Sequence, residues 1–213
     1  MRSLLAIALF AAALHADEID NDFVRVIHAT QQPHVQGPMH AHSSNRVLVY
    51  LDPADIVVTY QDGRREKQHW KAGQAGWTPG GATHSSENVG PRPVRVVEVE
   101  IKKPAPAVAA PRNATLDPVA IDPRHNVLLF ENAQVRVFRS WREPGGTEKM
   151  HEHPGPGRLA VLLTDLEAEI KSPGIAPAPA HATRGDVLWS GAVTHATTNT
   201  GRERFEMIVI ELK

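Results

Sequence analysis

The sequence predicts an all-β protein built from two similar halves, and three observations lead to this prediction. Short segments rich in β-branched residues recur between turn residues along the chain. No segment shows a long helical period with capping residues. Many residues of the first half recur 111 positions later, among them Asn21/Asn132 and Glu100/Glu211. The chain is therefore an internal duplication of an all-β unit, folded as two barrels or sandwiches.

The strand signals divide the chain into two domains joined by a linker. The predicted strands span 23–27, 46–51, 55–60 and 94–101 in the first half, and 135–138, 159–163, 166–170 and 205–210 in the second. Residues 104–115 are rich in proline and alanine and suit an extended tether. A first domain over 17–103 and a second over 116–213 follow. The proline-rich stretch 173–179 is predicted to be a loop that replaces the turn at Asp62 and Gly63.

The first 16 residues have the pattern of a secretory signal peptide. Arg2 supplies a positive charge, residues 4–14 form a short apolar run, and cleavage is expected after Ala13 or Ala16. The apolar run is too short to cross a bilayer comfortably, so no membrane span is expected. The alternative, a buried N-terminal helix, lacks an amphipathic stripe and a cap. The mature chain is therefore expected to be periplasmic or secreted.

Composition limits the partners and the ligand chemistry. The 213 residues are 41% hydrophobic and 22% charged, which suits a globular protein with a sizeable core. A net charge of −1 means that the chain lacks the excess of basic residues typical of proteins that bind nucleic acid. Because the chain has no cysteine, any bound metal must be held by nitrogen and oxygen ligands.

Histidines carry the strongest chemical signal in the sequence. His40 and His42 recur as His151 and His153, and a third histidine follows each pair, at positions 84 and 195. On a strand, side chains two residues apart point to the same face, so each pair is expected to project together. The third histidine comes from a neighbouring strand after a glycine-marked turn. Three imidazoles leave positions open for water or substrate, which is typical of a catalytic metal site rather than a closed structural one.

The spacing of these residues resembles the cupin superfamily, specifically a two-domain bicupin. The second cupin motif runs glycine, five residues, Pro-x-Gly-x-x-His, three residues, asparagine. Residues 73–88 match it at every fixed position, and residues 185–199 match it with the proline lost and one residue deleted. The His-x-His of the first motif is present in both halves. The resemblance covers nearly all of the mature chain and implies two tandem cupin barrels, also called double-stranded β-helices or jelly rolls.

The resemblance also implies a metal site in each half, with one departure. The metal ligands are expected to be His40, His42 and His84 in the first half and His151, His153 and His195 in the second. Cupins usually supply a glutamate as a fourth ligand, and its place falls on Arg46 and Arg158. Arginine cannot ligate a metal, although it binds carboxylate or phosphate in bidentate fashion.

Three-histidine cupins include certain dioxygenases. One or two divalent ions (Fe, Mn, Ni, Cu or Zn) are expected, and imidazole ligands do not choose among them. A degenerate second site that only stabilises its barrel is the alternative there.

Other residues near the histidines have competing interpretations. Arg46 either orients an anionic substrate or, the favoured interpretation, pairs with an interior acid, as does Arg158. Glu100 and Glu211 are the expected acids, and Arg25 and Arg136 compete for them. Glu87, three residues after His84, is a candidate catalytic base, although a solvated position on a loop is favoured. Five other histidines are interpreted as solvated or hydrogen-bonded residues: His28, His34, His69, His125 and His181.

Three classes of function remain open at the level of the sequence. The first is a metal-dependent enzyme, like a dioxygenase, isomerase or lyase, that acts on a small organic molecule, either anionic or neutral. The second is a non-catalytic periplasmic protein that binds metal or a small ligand. The third is a structural cupin with remnant histidines, because one fold hosts many activities. In each case the chain is expected to be a monomer with internal pseudo-twofold symmetry or a homodimer.

Overall fold

The computed structural model describes residues 19–106 and 111–213. The predicted signal peptide over residues 1–16 lies outside the described residues, as do residues 107–110 of the predicted linker. Among the residues that are described, no helix is long and apolar enough to cross a membrane.

The first half consists of seven antiparallel strands arranged in two sheets. One sheet has the order β1-β7-β2-β5 and the other the order β4-β3-β6. The strands are β1 (Val24–Gln31), β2 (Asn45–Tyr50), β3 (Ala54–Tyr60), β4 (Arg65–Trp70), β5 (Gln74–Thr78), β6 (His84–Asn88) and β7 (Val94–Ile101).

The second half repeats this arrangement with additions. A four-residue helix, α1 (Pro118–Ile121), precedes its strands. Its sheets have the orders β14-β11-β16-β9-β8 and β10-β15-β12-β13. The strands are β8 (Asn126–Glu131), β9 (Val135–Arg142), β10 (His151–His153), β11 (Arg158–Leu162), β12 (Leu166–Lys171), β13 (Ala178–Ala182), β14 (Val187–Ser190), β15 (Val193–Asn199) and β16 (Phe205–Leu212). Without β8, the first sheet has the same strand order as its counterpart in the first half, so the duplication seen in the sequence extends to the topology.

The largest apolar core lies between the two halves. Strand β7 shows why, because its residues alternate between two buried faces. Val97, Val99 and Ile101 pack in the core shared with the second half, whereas Val94 and Val96 pack inside the first barrel. The second half contributes the matching residues to the shared core, namely Val135, Val137, Leu159, Val161, Val187, Ile208, Ile210 and Leu212. The two barrels are therefore joined back to back through their larger sheets.

Trp77 and Trp189 pack against the shared core. Trp189 also stacks on Phe23 of the first half, with ring centroids 6.0 Å apart. Arg139 crosses the junction to donate to the Gly73 carbonyl at 2.7 Å. Apolar burial and directed polar contacts therefore both fix the relative position of the halves.

The predicted all-β architecture is confirmed, and each of the eight predicted strands overlaps an observed one. The strands predicted from β-branched composition leave out the short strands β4, β5, β6, β8, β10, β13, β14 and β15, of which β4 and β6 carry many polar residues. The predicted loop over 173–179 ends earlier than expected, because Ala178 and Pro179 already belong to β13. That strand lies at a sheet edge, where proline is tolerated.

Candidate metal centres

The first group of three histidines forms where a short bridge meets strand β6. The backbone N–H groups of His40 and His84 each donate to the other residue's carbonyl at 2.8 Å. His40 lies in this isolated bridge rather than in a regular strand, which differs from the expectation of a strand over the His-x-His pair. The His42 carbonyl accepts from the Gly81 N–H at 2.7 Å, so the glycine turn of the motif holds the second histidine in place.

The orientation of the three rings suits a metal ion. His40 Nδ1 lies 2.9 Å from the Pro38 carbonyl, His84 Nδ1 lies 3.0 Å from the Ala82 carbonyl, and His42 Nδ1 lies 2.9 Å from Glu100 Oε1. Because these partners are acceptors, each Nδ1 carries the proton and each Nε2 presents a lone pair. Nε2 of His40 and Nε2 of His42 face each other at 3.0 Å. Two facing lone pairs are unfavourable unless a cation lies between them, so the geometry fits a divalent transition-metal ion.

The second group repeats this geometry inside the second barrel. His151 is paired with His195 across strands β10 and β15. His151 Nδ1 lies 2.9 Å from the Lys149 carbonyl, and His153 Nδ1 lies 2.7 Å from Glu211 Oε1. The two Nε2 atoms of this pair are 3.1 Å apart. In each group the ligand atoms of all three histidines lie within 4.8 Å of one another.

Burial separates the two groups. His151, His153 and His195 are buried, with 3–4% of each residue exposed, whereas the first group is partly exposed. Burial, followed by the charge of Arg158, lowers the pKa of His195 to about 2 and lowers the pKa of His153 well below its ordinary value. Burial also lowers the pKa of His84 in the first group. Neutral imidazole is the form that binds a metal, so the lowered pKa values keep these ligands free of protons, whereas the charge of Arg158 opposes a metal cation as it opposes a proton.

Each group lines a cavity, and the two cavities differ greatly in volume. The cavity of the first barrel measures about 470 Å³, within the usual range of small-molecule sites, and includes His40 and His84 in its wall. Its other polar lining residues are Gln31, Arg46, Tyr50, Tyr60, Arg64, Gln68, Thr78, Ser86 and Glu98. The cavity of the second barrel measures about 40 Å³, which is space for a few water molecules. Of these two cavities, only the first has room for an organic molecule beside its histidines.

The arginines do not pair with the acids expected from the sequence. Arg46, which is 4% exposed, binds Glu98 rather than Glu100, with Nη1 2.5 Å from Oε2. Glu100 is occupied by His42 instead. Arg158 directs Nη2 to His195 Nε2 at 3.4 Å, because Val209 stands in the second barrel where Glu98 stands in the first.

Glu211 likewise binds a histidine rather than Arg158. Its Oε1 binds His153, and its Oε2 lies 2.7 Å from Arg112 and 3.6 Å from Arg136. Arg136 is therefore one of the competing partners that the sequence predicted, although its shortest carboxylate contact is with Asp117, at 2.7 Å. Burial raises the pKa of Glu211 despite these two guanidinium groups.

The structure does not bring Glu87 to the site. The residue lies three positions after His84 on strand β6, so the two side chains point to opposite faces. His84 and Ser86 line the cavity, and Glu87 does not. The candidate catalytic base proposed from the sequence is thus misplaced, since an odd spacing on a strand separates two residues rather than joining them.

Glu98 and Glu148 are the site residues that sequence reasoning missed. Glu98 lies two positions before Glu100 on β7 and shares its interior face, so strand alternation signals its position. Glu148 lies in the loop before β10, where periodicity gives no signal. It is 9% exposed and lines the second cavity.

The asparagines of the motif have a structural role that is identical in both halves. Asn88 donates to the carbonyls of Gln31 and Arg92 and accepts from the Gly90 N–H. Asn199 makes the same three bonds, to the carbonyls of Arg142 and Glu203 and from the Gly201 N–H. Elsewhere, two histidines interpreted from the sequence as hydrogen-bonded lie beside carboxylates, His69 by Asp55 and His125 by Asp122.

Comparison with known proteins shows the fold. No family model matches the chain, and no curated protein matches it by sequence. Among solved structures, AerE from Microcystis aeruginosa is similar with a TM-score of 0.63 at 11% identity, over 91% of this chain and 88% of that one. A single-residue variant of oxalate decarboxylase from Bacillus subtilis gives a TM-score of 0.64 at 11% identity, over 89% and 69%. A cupin 2 conserved barrel domain protein from Leptotrichia buccalis gives 0.55 at 14% identity, over 93% and 88%. The chain has the fold of two tandem cupin barrels.

Proposed function

We propose that this protein is a metal-dependent enzyme that transforms a small organic molecule in the cavity of the first barrel. A divalent transition-metal ion held by His40, His42 and His84 is part of this proposal. One observation carries it: a cavity of about 470 Å³ places two of these histidines and the buried Arg46–Glu98 pair around one space. The cavity thus combines a metal-binding group, an anion-binding group and a carboxylate, as a catalytic site requires.

The side chains of the cavity have distinct roles in this proposal. When bound, the ion supplies Lewis-acid or dioxygen chemistry. Arg46 binds an anionic group of the substrate through its guanidinium, since Glu98 engages Nη1 while the group has further donors. Glu98 lies on the cavity wall as an acceptor for a substrate proton. Leu48, Ile56 and Val58 line the apolar side and exclude water.

The reaction class is that of an oxygenase, an isomerase or a lyase, and the preferred substrate is a carboxylate. Two features support an anionic substrate: the arginine in the cavity wall, and the similarity in fold to a protein whose name refers to oxalate. We propose that the second trio also holds an ion. A cavity of about 40 Å³ leaves no space for an organic substrate there, so this second ion has a structural or electrostatic role.

The experiment that tests the proposal combines metal analysis with a search for turnover. The protein is prepared without a tag, loaded separately with Mn²⁺, Fe²⁺ and Zn²⁺, and incubated with a panel of small carboxylates and carbonyl compounds. Oxygen uptake and proton NMR report consumption of each compound. We expect about two ions per chain and conversion of at least one carboxylate, with both the conversion and one ion lost in His84→Ala.

Glu87→Gln provides the matched control for this experiment. Glu87 lies on the same strand as His84 but does not line the cavity, so its substitution should preserve metal content and turnover. Retention of both ions in His84→Ala would refute metal binding by the first trio. If a carboxylate binds the loaded protein but is not converted with any of the three metals, the enzyme proposal fails and a ligand-binding function replaces it.

A further inference from the structure

Glu148 lies beside the second histidine group and has no counterpart beside the first. Its Oε2 lies 3.9 Å from His151 Nε2, and its side chain is 8% exposed. The other carboxylate oxygen, Oε1, is 2.8 Å from Nη2 of the buried Arg142 and 3.5 Å from the Ser140 hydroxyl. Arg142 and Ser140 therefore hold one oxygen, while the second oxygen lies on the side of His151.

The contact between Glu148 and His151 is unfavourable without a cation. Because His151 Nδ1 donates to the Lys149 carbonyl, Nε2 presents a lone pair toward a carboxylate oxygen in a buried site. Two ligands that share one transition-metal ion at about 2.1 Å each lie no more than about 4.2 Å apart. The separation of 3.9 Å from His151 falls within that limit. Glu148 lies outside the group whose ligand atoms are all within 4.8 Å of one another, so ligation requires its carboxylate to turn toward His153 and His195. The ion pair with Arg142 accounts for Oε1, and the charge of the buried Arg158 also attracts the carboxylate, so the position of Oε2 beside His151 is the geometric observation that points to an ion.

The backbone around Glu148 repeats that of the first half. The Glu148 N–H donates to the Thr197 carbonyl at 2.9 Å, and the Gly37 N–H donates to the Ser86 carbonyl at the same distance. Gly37 is 111 positions before Glu148, as Ser86 is before Thr197. A Cβ atom at Gly37 would meet only the Ser86 carbonyl oxygen at 3.5 Å, an ordinary contact. The same loop therefore offers a side-chain position to both sites, and only the second barrel places a carboxylate there.

We infer that Glu148 is a fourth metal ligand of the second site, so that the two barrels hold chemically different centres. The second centre has three imidazoles and a carboxylate, and the first has three imidazoles. This inference rests on the proposal that the second trio holds an ion. Because carboxylate oxygen suits Mn²⁺ whereas imidazole suits Zn²⁺ and Cu²⁺, the second site is expected to favour Mn²⁺ relative to the first.

The test measures Mn²⁺ and Zn²⁺ affinities of the second site alone. His84→Ala removes a ligand of the first site, and Glu148→Gln is added in that background. We expect Mn²⁺ binding to weaken by at least about tenfold, the effect typical of disturbing a metal's ligand surroundings, with a smaller loss for Zn²⁺. The electron paramagnetic resonance spectrum of bound Mn²⁺ should also change. Glu152→Gln is the matched control, because Glu152 lies between the two histidines of β10 and points to the opposite face.

The outcomes distinguish this inference from the proposal beneath it. If His84→Ala binds no ion, the second metal site and the role of Glu148 both fail. If it binds Mn²⁺ but Glu148→Gln changes neither affinity, or weakens both equally, only the role of Glu148 fails. Gly37→Glu in a His195→Ala background tests the same idea at the first site, even where Glu148→Gln does not fold. There we expect Mn²⁺ affinity to rise relative to Zn²⁺, and an unchanged ratio overturns the inference.

Discussion

Acid should release the ion of the first site before that of the second. Protons compete with a metal for each imidazole, and a histidine with an ordinary pKa of about 6.5 weakens binding about 30-fold at pH 5. Burial and the charge of Arg158 lower the pKa of His195 to about 2 and lower that of His153 far below its ordinary value. His195 therefore avoids protonation at pH 5, and the lowered pKa of His153 acts in the same direction. His195 alone preserves about 30-fold in affinity that an ordinary histidine would lose.

The same lowered pKa values reduce the stability of the metal-free protein at low pH. A histidine whose pKa is lowered in the folded state takes up its proton more readily in the unfolded state. Below about pH 6.5 the unfolded chain therefore gains protons that the folded second barrel does not, and the metal-free protein loses stability. A bound ion offsets this loss, because it binds the folded state. The measurement must start from the metal-loaded protein.

The assay compares two variants that each keep one site. His84→Ala retains the second site and His195→Ala retains the first, and both are loaded with Zn²⁺ at pH 7.5. Samples are dialysed at intervals down to pH 4.5, and bound metal is measured by mass spectrometry, with circular dichroism as a control for folding. We expect the His195→Ala variant to lose its ion at a pH at least one unit higher. Release of both ions at the same pH would contradict the reasoning.

Three further substitutions test how neighbouring residues support the sites. Glu100→Gln weakens the contact that orients His42, so metal affinity of the first site should fall about 10- to 100-fold in calorimetric titration while the unfolding midpoint changes little. Gly80→Ala places a Cβ atom 2.8 Å from the Ser44 carbonyl group and 3.0 Å from the His42 carbonyl oxygen, so it should displace the loop that carries His42 and lower Mn²⁺ occupancy of the same site, measured by metal analysis. Asp117→Asn breaks the buried pair with Arg136 and should cost about 3 kcal/mol in urea unfolding at pH 7. Burial raises the pKa of Asp117, but the hydrogen bonds from Arg136 and the Ala120 N–H, together with the charges of Arg136 and Arg112, outweigh burial and the pKa is lowered. That stabilisation is therefore present above about pH 4 and lost at lower pH, a dependence that the Asn variant should lack.

Periodicity and residue spacing in the sequence predicted several strands and both histidine groups. The strands β2, β3, β7 and β16 follow β-branched periodicity, and the histidine groups follow from the spacing of His40 and His42 with its repeat 111 residues later. The polar strand β4 escaped prediction, because its pairing with β3 rather than its composition makes it a strand. Such tertiary control of strand formation is common.

Pairing of charges was harder to predict than the metal ligands. In the register, Arg46 lies opposite Glu100, so the expected pair was plausible at the level of the backbone. The side chain nevertheless reaches Glu98, because His42 occupies Glu100. A sequence shows that two acids share a strand face, but the choice of partner depends on three-dimensional competition among all neighbours. The same limit explains why Glu148 was missed.

Both halves contain a group of three histidines, but the carboxylate near it lies at a different position in each half. The first barrel has Glu98 on the cavity wall and Gly37 in the loop, whereas the second has Val209 and Glu148 at the equivalent positions. In the first, the carboxylate faces open space and leaves room for a substrate. In the second, it lies 3.9 Å from His151 beside a cavity of about 40 Å³, where its charge offsets that of the buried Arg142. In the proposed function, these two positions therefore assign substrate chemistry to the first half and ion binding to the second.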